Sequence, residues 1–212
     1  MELISTLQDL LFPPHCLGCG VHGATLCLHC KDSFTLRDYQ CHLGSVSVFS
    51  AVNYNPVTRQ ILLAAKEDGV RSADDLIVDA LHHSILRAMR KSSNQPILVP
   101  IPSAIRAVRK RGRDFVQEIS KRLSSLVGLP VQNLLRHNRR VNDQSLLDTS
   151  ARIKNLDGAI TLIKRSVRLH EVFLIDDLVT TGATLNEAVR ALEMSGFRVV
   201  GAVTALVALP LR

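Results

Sequence analysis

The sequence predicts an α/β fold: a mostly parallel sheet flanked by helices, with a small metal-binding segment at the N-terminus. Three observations carry this. The apolar run Val172–Ile175 leads through two acids and a Thr-Gly turn into a helical repeat at Leu185, Ala188, Val189 and Leu192, the order strand, loop, helix. A second apolar strand, Ile97–Ile101, is followed by Pro102 and a basic run. Four cysteines form two Cys-x-x-Cys pairs, Cys16/Cys19 and Cys27/Cys30, ahead of both strands.

With 212 residues and 46% apolar content, the chain suffices for one sizeable core plus a small appendage. We divide it into a segment 1–44 and a main domain 45–212. The net charge of +7 favours anionic partners, either phosphorylated small molecules or nucleic acid. The apolar stretch Leu3–Phe12 follows Glu2 and is broken by Gln8 and Asp9, with no basic leader and no small-residue cleavage site after it. It reads as a short amphipathic helix docked on the protein, not a signal peptide. No run approaches the ~20 apolar residues of a membrane span, and cytoplasmic residence is the expectation.

Each Cys-x-x-Cys pair can present two thiolates to one metal, and two such knuckles complete a tetrahedral site. Cys16, Cys19, Cys27 and Cys30 are therefore candidate ligands of a structural zinc in a compact ribbon-like segment. The alternatives are a redox pair or inert buried thiols. His15, His22, His29 and His42 lie in the same region and read as surface residues. Cys41 has no partner and reads as a spare thiol.

Along the main domain, residues 45–52 read as a strand and 53–56 as a turn. A helix follows from Val57 to Lys66, and a second from Ala73 to Arg90. His82 and His83 on that second helix read as surface residues. Residues 91–96 form a linker, and Pro100 marks the end of the strand 97–101. The most basic stretch of the chain comes next, with Arg106, Arg109, Lys110, Arg111 and Arg113; it reads as a cationic loop. Phe115, Ile119, Leu123 and Leu126 then mark a helix stopped by Gly128. Residues 136–152 are a second basic, polar stretch. Strands are expected over 159–164 and 199–209, the latter central or next to an edge.

The stretch 172–185 carries the chemistry. A tight loop entering a helix leaves backbone N–H groups unpaired and places the positive end of the helix dipole on a ligand. Thr180, Thr181 and Thr184 add hydroxyl donors, and Gly182 lets the backbone approach closely. Asp176 and Asp177, just upstream, would repel a bare phosphate. They suit a ligand with a phosphate at one end and hydroxyls or a bound cation beside it, such as a sugar phosphate with Mg²⁺. The basic stretch after strand 97–101 falls at the same carboxyl edge of a parallel sheet, where open α/β folds bind ligands. It reads as a pyrophosphate clamp, against the plainer alternative of a solvated helix start.

Four apolar residues, two acids and a Thr-Thr-Gly loop closely resemble the phosphoribosyl-pyrophosphate (PRPP) signature of type I phosphoribosyltransferases. That resemblance assigns the ribose to Asp176 and Asp177, and the 5-phosphate to Thr180, Thr181, Gly182, Ala183 and Thr184. Across nearly the whole chain, the sequence further resembles the ComF family. The resemblance rests on Phe12-Pro-Pro14 before the cysteines, a helix ending in Lys66, Val99-Pro-Ile-Pro102 and Arg111-Gly112. It continues through Gln144-x-x-Leu147 and Arg152-x-x-Asn155 before Gly158-Ala159. Two places depart from the family pattern: Glu67-Asp68 stand where an aromatic and a basic residue are usual, and Arg113-Asp114 where Phe-Asn is common.

The resemblance implies a phosphoribosyltransferase-like fold, a Mg²⁺–PRPP pocket and a role in handling single-stranded DNA during natural transformation. On one reading the protein is a pentosyltransferase of unspecified acceptor. Arg106, Arg109, Arg111 and Lys66 then face pyrophosphate, Asp177 stands beside the sugar as the general-base candidate, and the 136–152 stretch closes as a lid carrying Arg140 or Arg152. On the other, it is a zinc-containing module for single-stranded DNA whose PRPP pocket is regulatory or vestigial. Eight aromatics and no Trp supply few stacking platforms for bases.

Overall fold

The computed structural model describes residues 14–90, 95–138, 158–163 and 171–209. The helix expected over 3–12 lies outside them. So do residues 91–94 of the linker and residues 139–157, with Arg140, Arg152 and the Gln144 and Asn155 motifs.

Chain order is α1 (Leu28–Ser33), β1 (Tyr39–Leu43), β2 (Val46–Asn53), α2 (Pro56–Lys66), α3 (Arg71–Met89), β3 (Ile97–Pro100), α4 (Ile105–Arg111) and α5 (Phe115–Val127). Then come β4 (Leu135–His137), β5 (Ile160–Leu162), β6 (Glu171–Val179), α6 (Ala183–Glu193) and β7 (Arg198–Val207). One sheet has the order β1-β2-β7-β6-β3, and β4 and β5 pair separately. β2, β7, β6 and β3 run parallel, while β1 returns antiparallel on β2. The mostly parallel α/β class is the one expected from sequence.

Parallel strands buried on both faces read as continuous apolar runs, and β6 and β7 do so. Alternation along β6 feeds two cores. Phe173 and Ile175 join Ile61, Ile77, Leu81, Phe115 and Ile119 under α2, α3 and α5. Val172 and Leu174 join Leu135, Ile160, Leu185, Ala188 and Leu192 under α6 and the β4–β5 pair. Asn55 starts α2 by accepting from the N–H groups of Val57 and Thr58, and Pro56 sits at its first turn, where proline has no bond to lose.

Three expectations shift, while a fourth, the central or near-edge place of the last strand, is met. β1 was not anticipated, because Tyr39–Leu43 are only half-buried and alternate with exposed residues; the 44/45 division falls in the turn between β1 and its partner. Strand β6 extends through Asp176 and Asp177 to Val179, since Asp176, Leu178 and Val179 still pair with β7 neighbours. The basic run is not a loop but helix α4, which buries none of its residues and so leaves no apolar stripe to detect. β7 is central, between β2 and β6. Among the described residues, no helix is long and apolar enough to cross a membrane.

Candidate active site and metal centre

Strands β3 and β6 are neighbours, and Ile101 just beyond β3 donates from its N–H to the Ile175 carbonyl at 2.9 Å. The segments that follow them therefore open at one sheet edge. β6 delivers Asp176 and Asp177 there, with Asp177 only 4% exposed. Strand alternation places Asp177 on the α2 face and Asp176 on the α6 face. The Asp177 N–H is 2.9 Å from Asp176 Oδ1.

Past the acids, Thr180–Gly182 turn the chain into α6. Gly182 has φ 74°, a left-handed conformation that side chains resist. A Cβ there would also run into the Leu43 side chain, so β1 closes over the turn. No side chain caps the start of α6. The Ala183 N–H points at Thr181 Oγ1, 3.3 Å away. Thr181, Ala183 and Thr184 are half-buried and Thr180 is exposed. The 180–184 stretch thus presents hydroxyls and a helix N-terminus to the edge where the acids stand.

The four expected cationic residues separate into two groups. Lys66, the last residue of α2, forms an ion pair with Asp177. Arg111 lies near enough for its charge to oppose that of Lys66 and is held by Glu67, its Nε 2.9 Å and Nη2 2.8 Å from Oε1. Arg106 and Arg109 are exposed on α4. The structure thus brings Lys66 and Arg111 together beside the acids, and leaves Arg106 and Arg109 facing solvent on the adjoining helix.

Electrostatics tie the pair to its lysine. Burial and the adjacent Asp177 hold the Asp176 carboxyl well above the usual carboxylate range, against the pull of Lys66. Burial works against the charge on Lys66, but Asp177 and Asp176 outweigh it and raise its pKa. The two acids and the ammonium behave as one unit with a cation built in.

Three of the residues that depart from the family pattern, Glu67, Arg113 and Asp114, are engaged by neighbours. Glu67 holds Arg111. Arg113 pairs with Asp74 and Glu118, at 2.8 and 2.7 Å. Asp114 caps α5, accepting from the Gln117 N–H at 3.4 Å and the Ser103 hydroxyl at 2.8 Å.

A cleft of about 580 Å³ opens between the segment after β3 and the β4–β5 pair, lined by Ser103, Ile105, Arg136, His137, Asn138 and Thr161 among others. His137 Nε2 is 2.8 Å from the Pro102 carbonyl, which fixes the two walls together. No residue type in the sequence announced this cleft; it arises from packing.

The cysteines converge. The sulfurs of Cys16, Cys19, Cys27 and Cys30 all lie within 4.8 Å of one another, and Cys19 and Cys27 are 3.7 Å apart. Tetrahedral thiolates at Zn–S ≈ 2.3 Å would stand about 3.8 Å apart, so the donor set fits zinc. Burial opposes the Cys16 thiolate, but N–H groups of Cys27, Cys19 and Gly18 aimed at its sulfur bring its pKa down to about 6. Burial, reinforced by the neighbouring thiols, pushes Cys30 up. Gly18 has no room for a side chain: a Cβ would sit 2.7 Å from both Cys30 Sγ and Val57 Cγ1. Val57 belongs to α2, so the cysteine segment is seated on the helix whose other end carries Lys66. The spacing Gly18-x-Gly20-x-x-Gly23 falls inside this knuckle and not between a strand and a helix, so it is no dinucleotide fingerprint. Cys41 is a free, half-buried thiol, its pKa raised by burial. His83 pairs with Asp38 at 2.8 Å on the surface.

Competence protein F of Haemophilus influenzae is 29% identical to this chain over 102 residues, a match covering 47% of this chain and 44% of that protein. The match thus spans under half of that relative's length, and it supports the ComF-type resemblance. Among solved structures, adenine phosphoribosyltransferase from Saccharomyces cerevisiae is 10% identical with a TM-score of 0.44, covering 84% of this chain and 88% of that one. The same enzyme from Rhodothermus marinus is 16% identical with a TM-score of 0.41, covering 84% of both chains. A family model, the phosphoribosyl transferase domain, matches residues 77–208, more than half of the chain and every element from within α3 to β7. The chain belongs to the phosphoribosyl transferase domain family.

Proposed function

We propose that the edge beyond β3 and β6 binds PRPP, or a related phosphorylated sugar, with Mg²⁺, and that the protein transfers its pentosyl group to an acceptor. One observation carries this: β6 delivers the Asp176–Asp177 pair directly into the start of α6 through Thr180, Thr181 and Gly182, with Thr184 in the first turn. That order matches a ligand with hydroxyls at one end and a phosphate at the other. The likeness to Competence protein F supports a role for this activity in the handling of single-stranded DNA during natural transformation, and the reading takes the cytoplasm as its setting.

In such a reaction the bond from C1 of the ribose to pyrophosphate breaks, and pyrophosphate leaves with the electron pair. An acceptor lone pair forms the new bond at C1. The protein's work is binding, orientation and exclusion of water. Thr180–Thr184 anchor the 5-phosphate far from C1, so that binding energy is spent on geometry at the reacting atom. Asp177 and Asp176 accept hydrogen bonds from the ribose hydroxyls. Arg111, with Arg106 and Arg109 on the exposed adjoining helix, is assigned the leaving pyrophosphate, and Lys66 pairs with Asp177. Asp177, beside the sugar, is the residue placed to take a proton from an acceptor. The carboxylates are hard oxygen donors suited to Mg²⁺, which supplies Lewis-acid neutralisation of pyrophosphate oxygens when bound. The cysteine cluster, closed by four thiolates, serves a zinc that holds the N-terminal segment folded.

Isothermal titration of PRPP with Mg²⁺ into zinc-loaded protein, beside an Asp176→Asn/Asp177→Asn variant, tests the pocket. Binding should fall by at least about tenfold in the variant; equal binding by both proteins would refute it. The charge of +7 and the exposed Arg106, Arg109 and Lys110 on α4 favour a second reading, in which the protein is a single-stranded DNA-binding module and the PRPP pocket is regulatory or vestigial. It requires an affinity that falls steeply with salt, and a flat salt response would sink it.

A further inference from the structure

The four cysteine sulfurs are not equivalent. Cys16 and Cys30 are buried, Cys27 is half-buried and Cys19 is exposed. The exposed sulfur and the half-buried one lie 3.7 Å apart, so the solvent side of the cluster is itself a cysteine pair. An oxidant arriving from solvent meets Cys19 first and finds Cys27 beside it. Cysteine oxidation follows access and thiolate character, and a metal-bound thiol is already deprotonated. The segment that carries these sulfurs is also seated on the main domain. Gly18 lies so close to Val57, in the first turn of α2, that a Cβ would stand 2.7 Å from its Cγ1. Leu17 and Leu26 pack against the core that contains Phe34, Ile61 and Ile77. Asn55, which caps α2, donates from its side-chain amide to the Ser33 carbonyl at 3.4 Å. From there α2 runs unbroken to Lys66 and its contact with Asp177. The start of α2 leans on the cysteine segment, and its end stands at the acid pair.

We infer that Cys19 and Cys27 form a peroxide-sensitive pair whose oxidation to a disulfide releases the zinc, loosens the start of α2 and so weakens ligand binding at the far end of that helix. The Cys19 thiolate attacks one oxygen of a hydroperoxide, the O–O bond breaks, and the other oxygen leaves with the electron pair and takes a proton from solvent. Cys19 is then a sulfenic acid. The Cys27 thiolate attacks the Cys19 sulfur, the S–S bond forms, and hydroxide leaves and is protonated to water. The two sulfurs are oxidised and the peroxide is reduced by two electrons. Two of the four thiolate ligands are consumed, and a segment too small for a core of its own loses the metal that folds it. Val57 and Ser33 then no longer hold the start of α2. The effect on the ligand rests on the sugar-phosphate reading of the acid-pair site; the thiol chemistry does not.

The test treats the zinc-loaded full chain with hydrogen peroxide in a Cys41→Ser background, which removes the spare thiol. A chromogenic chelator reports released zinc, and peptide mass spectrometry locates the disulfide. Hydrogen exchange follows the amides of α2, and calorimetry measures Mg²⁺–PRPP binding before and after oxidation. About one zinc per chain should be released, with Cys19–Cys27 the dominant disulfide and faster exchange at the start of α2. Affinity for Mg²⁺–PRPP should fall at least about threefold and return after reduction with dithiothreitol and added zinc. Cys19→His keeps a ligand for the metal but has no sulfur to oxidise, so its zinc, exchange and binding should withstand the same peroxide. The disulfide map needs no variant and stands even if Cys19→His folds poorly. A dominant disulfide other than Cys19–Cys27, or zinc retained at a peroxide level that oxidises Cys41 in the wild-type chain, would overturn the pair. A Cys19–Cys27 disulfide with unchanged α2 exchange would overturn the coupling. If the reduced protein does not bind Mg²⁺–PRPP at all, the sugar-phosphate reading fails, while the disulfide map and the exchange of α2 still decide the switch.

Discussion

Arg113 grips Asp74 with two prongs: Nη2 lies 2.8 Å from Oδ2 and Nη1 3.4 Å from Oδ1. The pair ties the start of α5 to the first turn of α3. The same guanidinium reaches Glu118 at 2.7 Å and lies 5.4 Å from the centre of the Phe115 ring, a cation–π distance. Removing the arginine leaves Asp74 buried and unpaired. Arg113→Ala should cost about 2–4 kcal/mol, or roughly 5–12 °C in melting temperature for a chain of this size. Thermal unfolding of zinc-loaded protein measures it. The Asp74→Ala/Arg113→Ala double variant should regain part of the loss, and a single variant melting within a degree of wild type would contradict the pair's importance.

Gly18 is required by close approach rather than by backbone angle. Gly18→Ala places a methyl 2.7 Å from Cys30 Sγ and Val57 Cγ1, and both must move. An overpacking cost of about 1–3 kcal/mol is expected, with the metal knuckle taking much of the distortion. Zinc should pass to a competing chromogenic chelator at lower chelator concentration than in wild type. Val57→Ala in the same background should relieve the clash on one side and restore part of the retention.

Metal content offers a direct count. The purified chain should carry about one zinc, and Cys16→Ser should lose most of it along with the order of the N-terminal segment. Atomic absorption on both proteins decides the point; an unchanged metal content in the variant would refute the four-cysteine site.

Glu187 should show in the acid stability of the protein. Only 5% exposed, it receives two 2.7 Å bonds from Arg190 and the Ile160 N–H at 3.2 Å, so it pins β5 to α6. Burial works against its charge, but Arg190 and these N–H contacts outweigh that and lower its pKa. A carboxyl depressed in the folded state contributes stability above its unfolded pKa, near 4.3, and loses it as pH falls through the lower folded value. Glu187→Gln should therefore be less stable than wild type by about 1–3 kcal/mol at neutral pH, with the gap closing below about pH 4. A gap independent of pH would show that packing, not charge, is what the residue provides.

Much of the site was legible in local sequence because its chemistry is local. A strand, two acids and a Thr-Gly turn are neighbours in the chain, and the Cys-x-x-Cys pairs carry their own knuckle geometry. Helices α2, α3, α5 and α6 were readable because each buries one stripe. Helix α4 was not, since it buries nothing, and β1 was not, since it is an edge strand with half-buried alternation.

The sequence by itself determined the α/β class, the acid pair with its Thr-Gly loop and the cysteine quartet, because each depends on residue type at short spacing. Tertiary structure alone decided the partners. Lys66 meets Asp177 across 111 positions of chain, Arg111 meets Glu67 across 44, and Leu43 comes to rest on Gly182. Such pairings follow from how helices seat on a twisted sheet. A side chain's charge announces that it will find a counter-charge or water, but only the packing of the whole core selects which one.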